Sequence, residues 1–287
     1  MLGHVLFMQL SLHQDFDVYA TVRNSSSLEK WFSSDLMKKI RTHIDVDNFD
    51  TVIRVIESIK PDVVINCIGL IKQLPIADEP LPAITINSLL PHRIALACGA
   101  YGTRMIHIST DCVFDGSKGN YTENDQSNAK DLYGRSKFLG EVAYSHCITL
   151  RTSIIGHELR GKLSLIEWFL AQEGRVRGFK KAIYSGFPSV ELARIICDYV
   201  IPNPELKGIY HVSSAPLSKY ELLMLVADRY AKKIEIEPYE DFILDRSLDS
   251  TLFQKATGYK PPSWTELVNA MHGHYVDFGY EKKSLTY

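Results

Sequence analysis

The 287-residue chain has 45% hydrophobic residues, 23% charged residues and a formal net charge of −2, an ordinary globular composition with room for a sizeable core. Without a basic excess it has no electrostatic footprint for wrapping nucleic acid or docking on an anionic membrane, so any polyanion must be met by a local pocket. Five cysteines (Cys67, Cys98, Cys112, Cys147 and Cys197) with no C-x-x-C pair read as reduced thiols of a cytoplasmic protein.

The chain opens on "MLGHVLFMQL". A secretory leader would need basic residues before its apolar stretch, and no Lys or Arg precedes Arg23. No run approaches the roughly 18 apolar residues of a membrane span. The stretch predicts a helix over Val5 to Leu12 preceded by Gly3. This fits the last part of a dinucleotide-binding turn, where a final glycine lets helix and strand pack closely and the helix N-terminus faces a pyrophosphate. One glycine before an apolar helix also fits a plain amphipathic helix.

Further along, "DVYATVR" from Asp17, "DVVINC" from Asp62, "RMIHIST" from Arg104 and "CITLRT" from Cys147 read as buried strands, apolar on both faces as in a parallel sheet. Between them "SLEKWFSSDLMKKI", "FDTVIRVIESI", "INSLLPHRIALACGA" and "DLYGRSKFLGEVAYS" carry helical spacing, with Pro91 marking a first turn or a kink. The alternation predicts an α/β fold: a doubly wound, Rossmann-like parallel sheet with right-handed crossovers over residues 1–153. From 154 to 287 the segments become longer and less regular. They predict a smaller C-terminal substrate lobe over the strand ends, with some segments returning to the sheet.

Cofactor signals stand where such a fold would put them. Arg23 closes the second strand, where a guanidinium suits a ribose 2′-phosphate and so favours NADP(H) over NAD(H); a solvated strand-end arginine reads the same in isolation. Asp45 and Val46, after a short third strand, offer an acceptor and an apolar contact to adenine. Cys67, Ile68 and Gly69 end the next strand in a form that lets backbone approach a cofactor.

The chemistry-bearing stretch is "HISTDCVFDGSKGNYTENDQSNAKDLYGRSKFLGE". Tyr133 and Lys137, at i and i+4 of a predicted helix, face the same way. An ammonium near a phenol lowers the phenol's pKa toward the range of a general acid. Upstream, a strand ending in Ser109, Thr110 and Asp111 supplies a hydroxyl for the same carbonyl. Cys112, after an apolar strand and with no evident His partner, reads as a buried thiol. His272 and His274 lack further ligands and read as a polar tail, so no metal site is assigned. Trp168, Trp264 and the aromatic residues near the end read as packing.

Through "PDVVINC", "HISTDCVFDG", "YTENDQSNAKDLYGRSKFLGE", "RTSIIG", "GFPSVELARII" and "GIYHVSS" the chain resembles an extended short-chain dehydrogenase/reductase. More narrowly, it resembles the dTDP-4-dehydrorhamnose reductase family of sugar-nucleotide reductases, over most of its length and thinning after about Tyr230. The resemblance implies NADPH-dependent reduction of a 4-keto-6-deoxy nucleotide sugar in deoxysugar and cell-surface polysaccharide biosynthesis. It makes Tyr133 the proton donor, Lys137 the residue that binds the nicotinamide ribose and tunes Tyr133, and Thr110 a hydrogen-bond partner of the carbonyl oxygen. It places Asp111 against the sugar, Asn87 in the cofactor-side network, and the nicotinamide near Thr152. Cys112 and Ile154 stand where the family is commonly aromatic, which implies a smaller aliphatic pocket and a different hexose, such as an acetamido sugar.

The family normally begins with a strand and a Gly-rich turn before the equivalent of "MLG", so about ten residues would precede this start. A start assigned too late, a truncation that impairs cofactor binding, and pairing with another chain are the alternatives, and the undamaged later motifs favour the first. Other functional readings are a non-catalytic NADP-binding regulatory subunit, of which the family has examples, and another nucleotide-sugar reductase or epimerase. The implied partner is the nucleotide sugar, with self-association as a homo-oligomer left open.

Overall fold

The computed structural model describes residues 1–280. Helix α1 (Leu2–Ser11) is followed by the short strands β1 (Ala20–Thr21) and β2 (Ile40–Arg41), with helix α2 (Ser34–Lys38) between them. The two strands form a separate parallel pair. Helix α3 (Phe49–Ile59) leads into β3 (Val63–Asn66). A long helical stretch then runs through α4 (Pro80–Ala83), a π-helical segment (Ile84–Leu89) and α5 (Leu90–Ala100) to β4 (Arg104–Thr110). Helix α6 (Leu132–Leu139) connects to β5 (Cys147–Thr152), which is followed at once by β6 (Ile154–Ile155).

The second half contains α7 (Leu165–Leu170), β7 (Arg175–Tyr184), β8 (Phe187–Pro188) and α8 (Ser189–Ile195), with a π segment (Ile196–Val200). There follow β9 (Gly208–His211), β10 (Leu217–Ser218), α9 (Lys219–Arg229), β11 (Glu235–Asp245), α10 (Thr251–Thr257) and α11 (Trp264–Phe278). The main sheet has the order β3-β4-β5-β9, all parallel. A second sheet has the order β10-β7-β11, and β6 pairs with β8. The α/β fold and parallel sheet expected from the alternation are present, and β9 is a late segment that returns to the sheet.

The largest core cluster joins both halves: Leu2, Val5, Leu6 and Leu10 of α1 pack with Ile106, Ile108, Ile148 and Leu150 of the sheet and with Leu192, Ile195 and Val268. Burying such side chains is worth roughly 1.5–3 kcal/mol each, and that holds α1 on the sheet although Met1 offers it no side-chain cap. The first helix therefore starts at Leu2, three residues before the expected Val5.

Three further expectations are corrected. "SLEKWFSSDLMKKI" is helical only over Ser34–Lys38, because Asn24 closes a local turn by accepting the Ser26 N–H and Trp31 and Phe32 turn inward with Phe7 and Phe278. Val63, Val64 and Ile65 are half-buried rather than buried, because among the described residues β3 has only β4 as a sheet neighbour. His272 and His274 are no tail: they lie within α11, with the His272 ring against Tyr230 and the His274 ring against Phe278. Trp264 is buried, as expected, with its indole N–H donating to the Ala215 carbonyl at 2.6 Å.

Candidate active site

The site forms where β4 ends and α6 begins. Asp131 caps α6, accepting the Gly134 N–H at 2.7 Å and an ion pair from Lys72 at 2.8 Å. Two glycines allow α6 to lie close. A Cβ on Gly134 would stand 2.2 Å from the Cys112 carbonyl oxygen, and one on Gly140 would stand 1.9 Å from that of Asn87. Both contacts are far inside van der Waals range, so α6 can lie against the turn after β4 and against the Asn87 segment only with glycine at these positions.

That approach brings Tyr133 beside Thr110, Asp111 and Cys112. Thr110 acts on the Tyr133 phenol, drawing its pKa down; the Thr110 hydroxyl donates to Asp111 Oδ1 at 3.2 Å and accepts the Cys112 N–H at 3.1 Å. Asp111 is buried, and burial pushes its carboxyl up while Arg246 and Lys219 act in the opposite direction. The Cys112 thiol is pushed up to about 12 by burial and then by the Asp111 charge. It accepts a hydrogen bond from Arg246 Nη1 at 3.5 Å. Burial and the Asp111 charge thus favour the thiol form of Cys112, and the residue is half-buried rather than buried as expected.

Lys137 is buried, and its Nζ donates to the Ile108 carbonyl at 2.8 Å. Burial lowers its pKa to about 8. The expected depression of the Tyr133 phenol by this ammonium is not found. Burial pushes the phenol up, the neighbouring Cys112 and Asp111 add to the rise, and Thr110 opposes it. The physical reason is that Tyr133 loses solvent while the Lys137 ammonium points to a backbone carbonyl. The phenol therefore stays protonated at neutral pH.

Asn87 belongs to the π segment, a local widening of the helix that often marks functional positions. Its Oδ1 accepts the Leu70 N–H at 2.9 Å, and its Nδ2 donates to the Leu70 carbonyl and Ser136 Oγ, each at 3.3 Å. It thereby ties the segment after β3 to α6. Cys67, Ile68 and Gly69 at that strand end are exposed, and a Cβ on Gly69 would lie 3.3 Å from Asn87 Oδ1 and 3.7 Å from Lys137 Nζ.

Gly3 faces Cys67, but a Cβ there would make an ordinary 3.6 Å contact. The close packing expected to require this glycine is absent, because the start of α1 leaves room at the end of β3. Thr152 is buried and pairs in register with Thr110, while Ile154 lies on β6 opposite Phe187. Arg23 is exposed just past β1. Asp45 serves its own turn, its carboxylate accepting the Asp47 N–H at 3.2 Å, and Val46 packs beside the cluster containing Phe49. The Ile44 N–H donates to the Val22 carbonyl at 3.2 Å, which joins the stretch carrying Asp45 and Val46 to that carrying Arg23.

Sequence reasoning missed three cations. Arg246, which donates to the Phe114 carbonyl at 2.8 Å, Lys219 and Lys72 all act electrostatically on Cys112 or Asp111. Arg246 and Lys219 come from the second half of the chain, in stretches with no motif. Beside them a cleft of about 240 Å³ is lined by Asp115, Lys130, Asp131, Leu244 and Arg246, among others. Also missed was the buried pair beneath the site: Arg151 bonds Glu141 at 2.7 and 2.8 Å, and Ser109 Oγ donates to the same carboxylate at 2.7 Å. Among the described residues, no helix is long and apolar enough to cross a membrane.

The family model for the RmlD substrate binding domain matches residues 1–276. The dTDP-4-dehydrorhamnose reductase of Aggregatibacter actinomycetemcomitans is 28% identical over 248 residues, covering 78% of this chain and 84% of the relative. Methionine adenosyltransferase 2 subunit beta of Danio rerio is 30% identical over 194 residues, covering 63% of this chain and 59% of the relative. Among solved structures, a hypothetical dTDP-4-dehydrorhamnose reductase from Sulfolobus tokodaii superposes with a TM-score of 0.74 at 26% identity, over 92% of this chain and 94% of that one. The Bacillus anthracis dTDP-4-dehydrorhamnose reductase in complex with NADP gives 0.71 at 21% identity, over 83% and 92%, a likeness of fold alone.

Proposed function

The chain belongs to the RmlD substrate binding domain family, and from that premise we propose that it reduces the keto group of a 4-keto-6-deoxy nucleotide sugar with NADPH. The observation that carries this reading is the Tyr133 phenol, held protonated beside Thr110 and Asp111, with the cations Arg246, Lys219 and Lys72 acting on the neighbouring Asp111 or Cys112. A proton donor must hold its proton at neutral pH and lie within reach of the developing alkoxide. The Thr110 hydroxyl, which donates to Asp111 here, would turn to the same oxygen as a second donor, and the Lys and Arg residues suit the diphosphate of a nucleotide sugar.

The cofactor would supply hydride. Lys137, with one Nζ hydrogen bond to Ile108 and further N–H groups to offer, fits ribose hydroxyls, and Gly69 leaves room for them. Asn87 holds that segment in place. Thr152 would lie near the nicotinamide, and Asp45 and Val46 would meet the adenine. Exposed Arg23 supports NADP(H) over NAD(H). Asp111, Cys112 and Ile154 would shape the sugar pocket, whose aliphatic lining suits a hexose other than 6-deoxymannose.

The test is NADPH binding by the purified chain, followed by cofactor oxidation with a panel of 4-keto-6-deoxy nucleotide sugars. Binding with turnover is expected. The likeness to methionine adenosyltransferase 2 subunit beta favours a second reading, a cofactor-binding partner subunit, and binding without turnover on any sugar would move the assignment there.

A further inference from the structure

Far from the Tyr133 group in the sequence, the end of α1 meets the π segment that follows α8. His13, Cys197 and Asp198 each place one ligand atom there, and all three atoms lie within 4.8 Å of one another. We propose that these three side chains form a binding site for a divalent transition metal ion of the zinc type, with water completing the coordination.

The donor set is one imidazole nitrogen, one sulfur and one carboxylate oxygen, the mixture that zinc and cobalt accept and that magnesium or calcium does not. A tetrahedron with ordinary zinc bond lengths has ligand atoms roughly 3.3–3.6 Å apart. The exposed side chains of His13 and Asp198 therefore need rotations of only about an ångström to close on the buried sulfur. The backbone around them is fixed. His13 N–H donates to the Leu10 carbonyl at 3.1 Å, its ring packs on Phe16, and the Leu10 side chain is part of the core that also contains Cys197.

The π segment Ile196–Val200 widens the helix and narrows the angle between consecutive side chains, so Cys197 and Asp198 can reach one ion. Such segments recur at functional positions. Asp198 is held by one long contact: Arg194 Nη2 and Nε bond Glu191 at 2.6 and 2.9 Å, and Arg194 Nη1 pairs with Asp198 Oδ2 at 3.6 Å, an ion pair that a metal ion would replace. On binding, the Cys197 thiol gives its proton to solvent as the metal–sulfur bond forms, with no change of oxidation state. The ion would cross-link the end of α1 to the helix that packs beside it.

The experiment is titration of the full chain with cobalt chloride and then zinc chloride, read by the thiolate-to-cobalt absorption band and by the melting temperature. One cobalt per chain is expected, with a thiolate band displaced by zinc and a rise in Tm. Cys197→Ser should abolish the band, while Cys67→Ser, which removes the exposed thiol, should leave it. His13 is exposed, so His13→Ala tests the site without threatening the fold and should weaken cobalt binding at least tenfold. Absence of the band in the unaltered chain, its survival in Cys197→Ser, or unchanged affinity in His13→Ala each overturns the proposal.

Discussion

Replacing Tyr133 by Phe removes a single oxygen from the site. The ring keeps its packing, and Thr110 keeps Asp111 and the Cys112 N–H as partners, so no buried polar group is orphaned and the stability cost should stay within about 1 kcal/mol. Lys137 and Asn87 are untouched, and NADPH affinity should stay within a few-fold. Turnover should fall by roughly 10²–10⁴, or about 3–5 kcal/mol in the barrier, the usual contribution of a positioned general acid. Both quantities can be read on one preparation, affinity from cofactor fluorescence and turnover from the loss of NADPH absorbance. A variant that keeps more than a fifth of the activity refutes the proton-donor role. A variant that loses NADPH binding makes Tyr133 a structural support.

Gly140→Ala should shift α6 away from Asn87, costing roughly 1–3 kcal/mol of stability in urea melts and lowering turnover; unchanged activity would mean that α6 can move without consequence. Arg151→Leu strands the Glu141 carboxylate in the interior, and a loss of about 3–5 kcal/mol is expected by chemical denaturation. Because the Lys137 pKa lies near 8, its ammonium is present below that pH and lost above it. Apparent NADPH affinity should therefore weaken as pH rises through about 8, and Lys137→Met should remove that limb from the profile. Arg246→Ala should raise KM for the nucleotide sugar about tenfold or more, the loss of one charge-assisted contact, with NADPH affinity unaltered.

The sequence was most legible where periodicity was long and uninterrupted. "RMIHIST", "CITLRT" and "FDTVIRVIESI" match β4, β5 and α3 at both ends, since β-branched runs and a strong apolar stripe leave few alternatives. Ser27–Ile40 misled because its Trp and Phe residues have helical spacing but serve an aromatic cluster built from distant segments, and tertiary packing overrides local pattern there. Tyr133, Lys137 and Thr110 were legible as a spaced set, whereas the electrostatics among them were not. Whether an ammonium acts on a phenol depends on where its Nζ points, and Lys137 points at Ile108. Arg246 and Lys219 had no signal at all, because a lone cation acquires meaning only from what the fold sets beside it.

That last point separates the two functional readings. A protein that only holds a dinucleotide needs Lys137, Asn87 and the open end of β3. It has no use for a carboxyl buried at Asp111 with Arg246 and Lys219 acting on it from a different part of the chain. Burying ionisable groups opposes folding unless they are paired or meet a ligand, so cations brought to Asp111 from the second half of the chain favour the reading with a second, anionic molecule. Arg246 also lines the cleft that contains Lys130, Asp115 and Asp131. The Arg246→Ala variant therefore distinguishes the readings by its selectivity: a reductase loses affinity for the sugar nucleotide alone, and a cofactor-holding subunit loses neither.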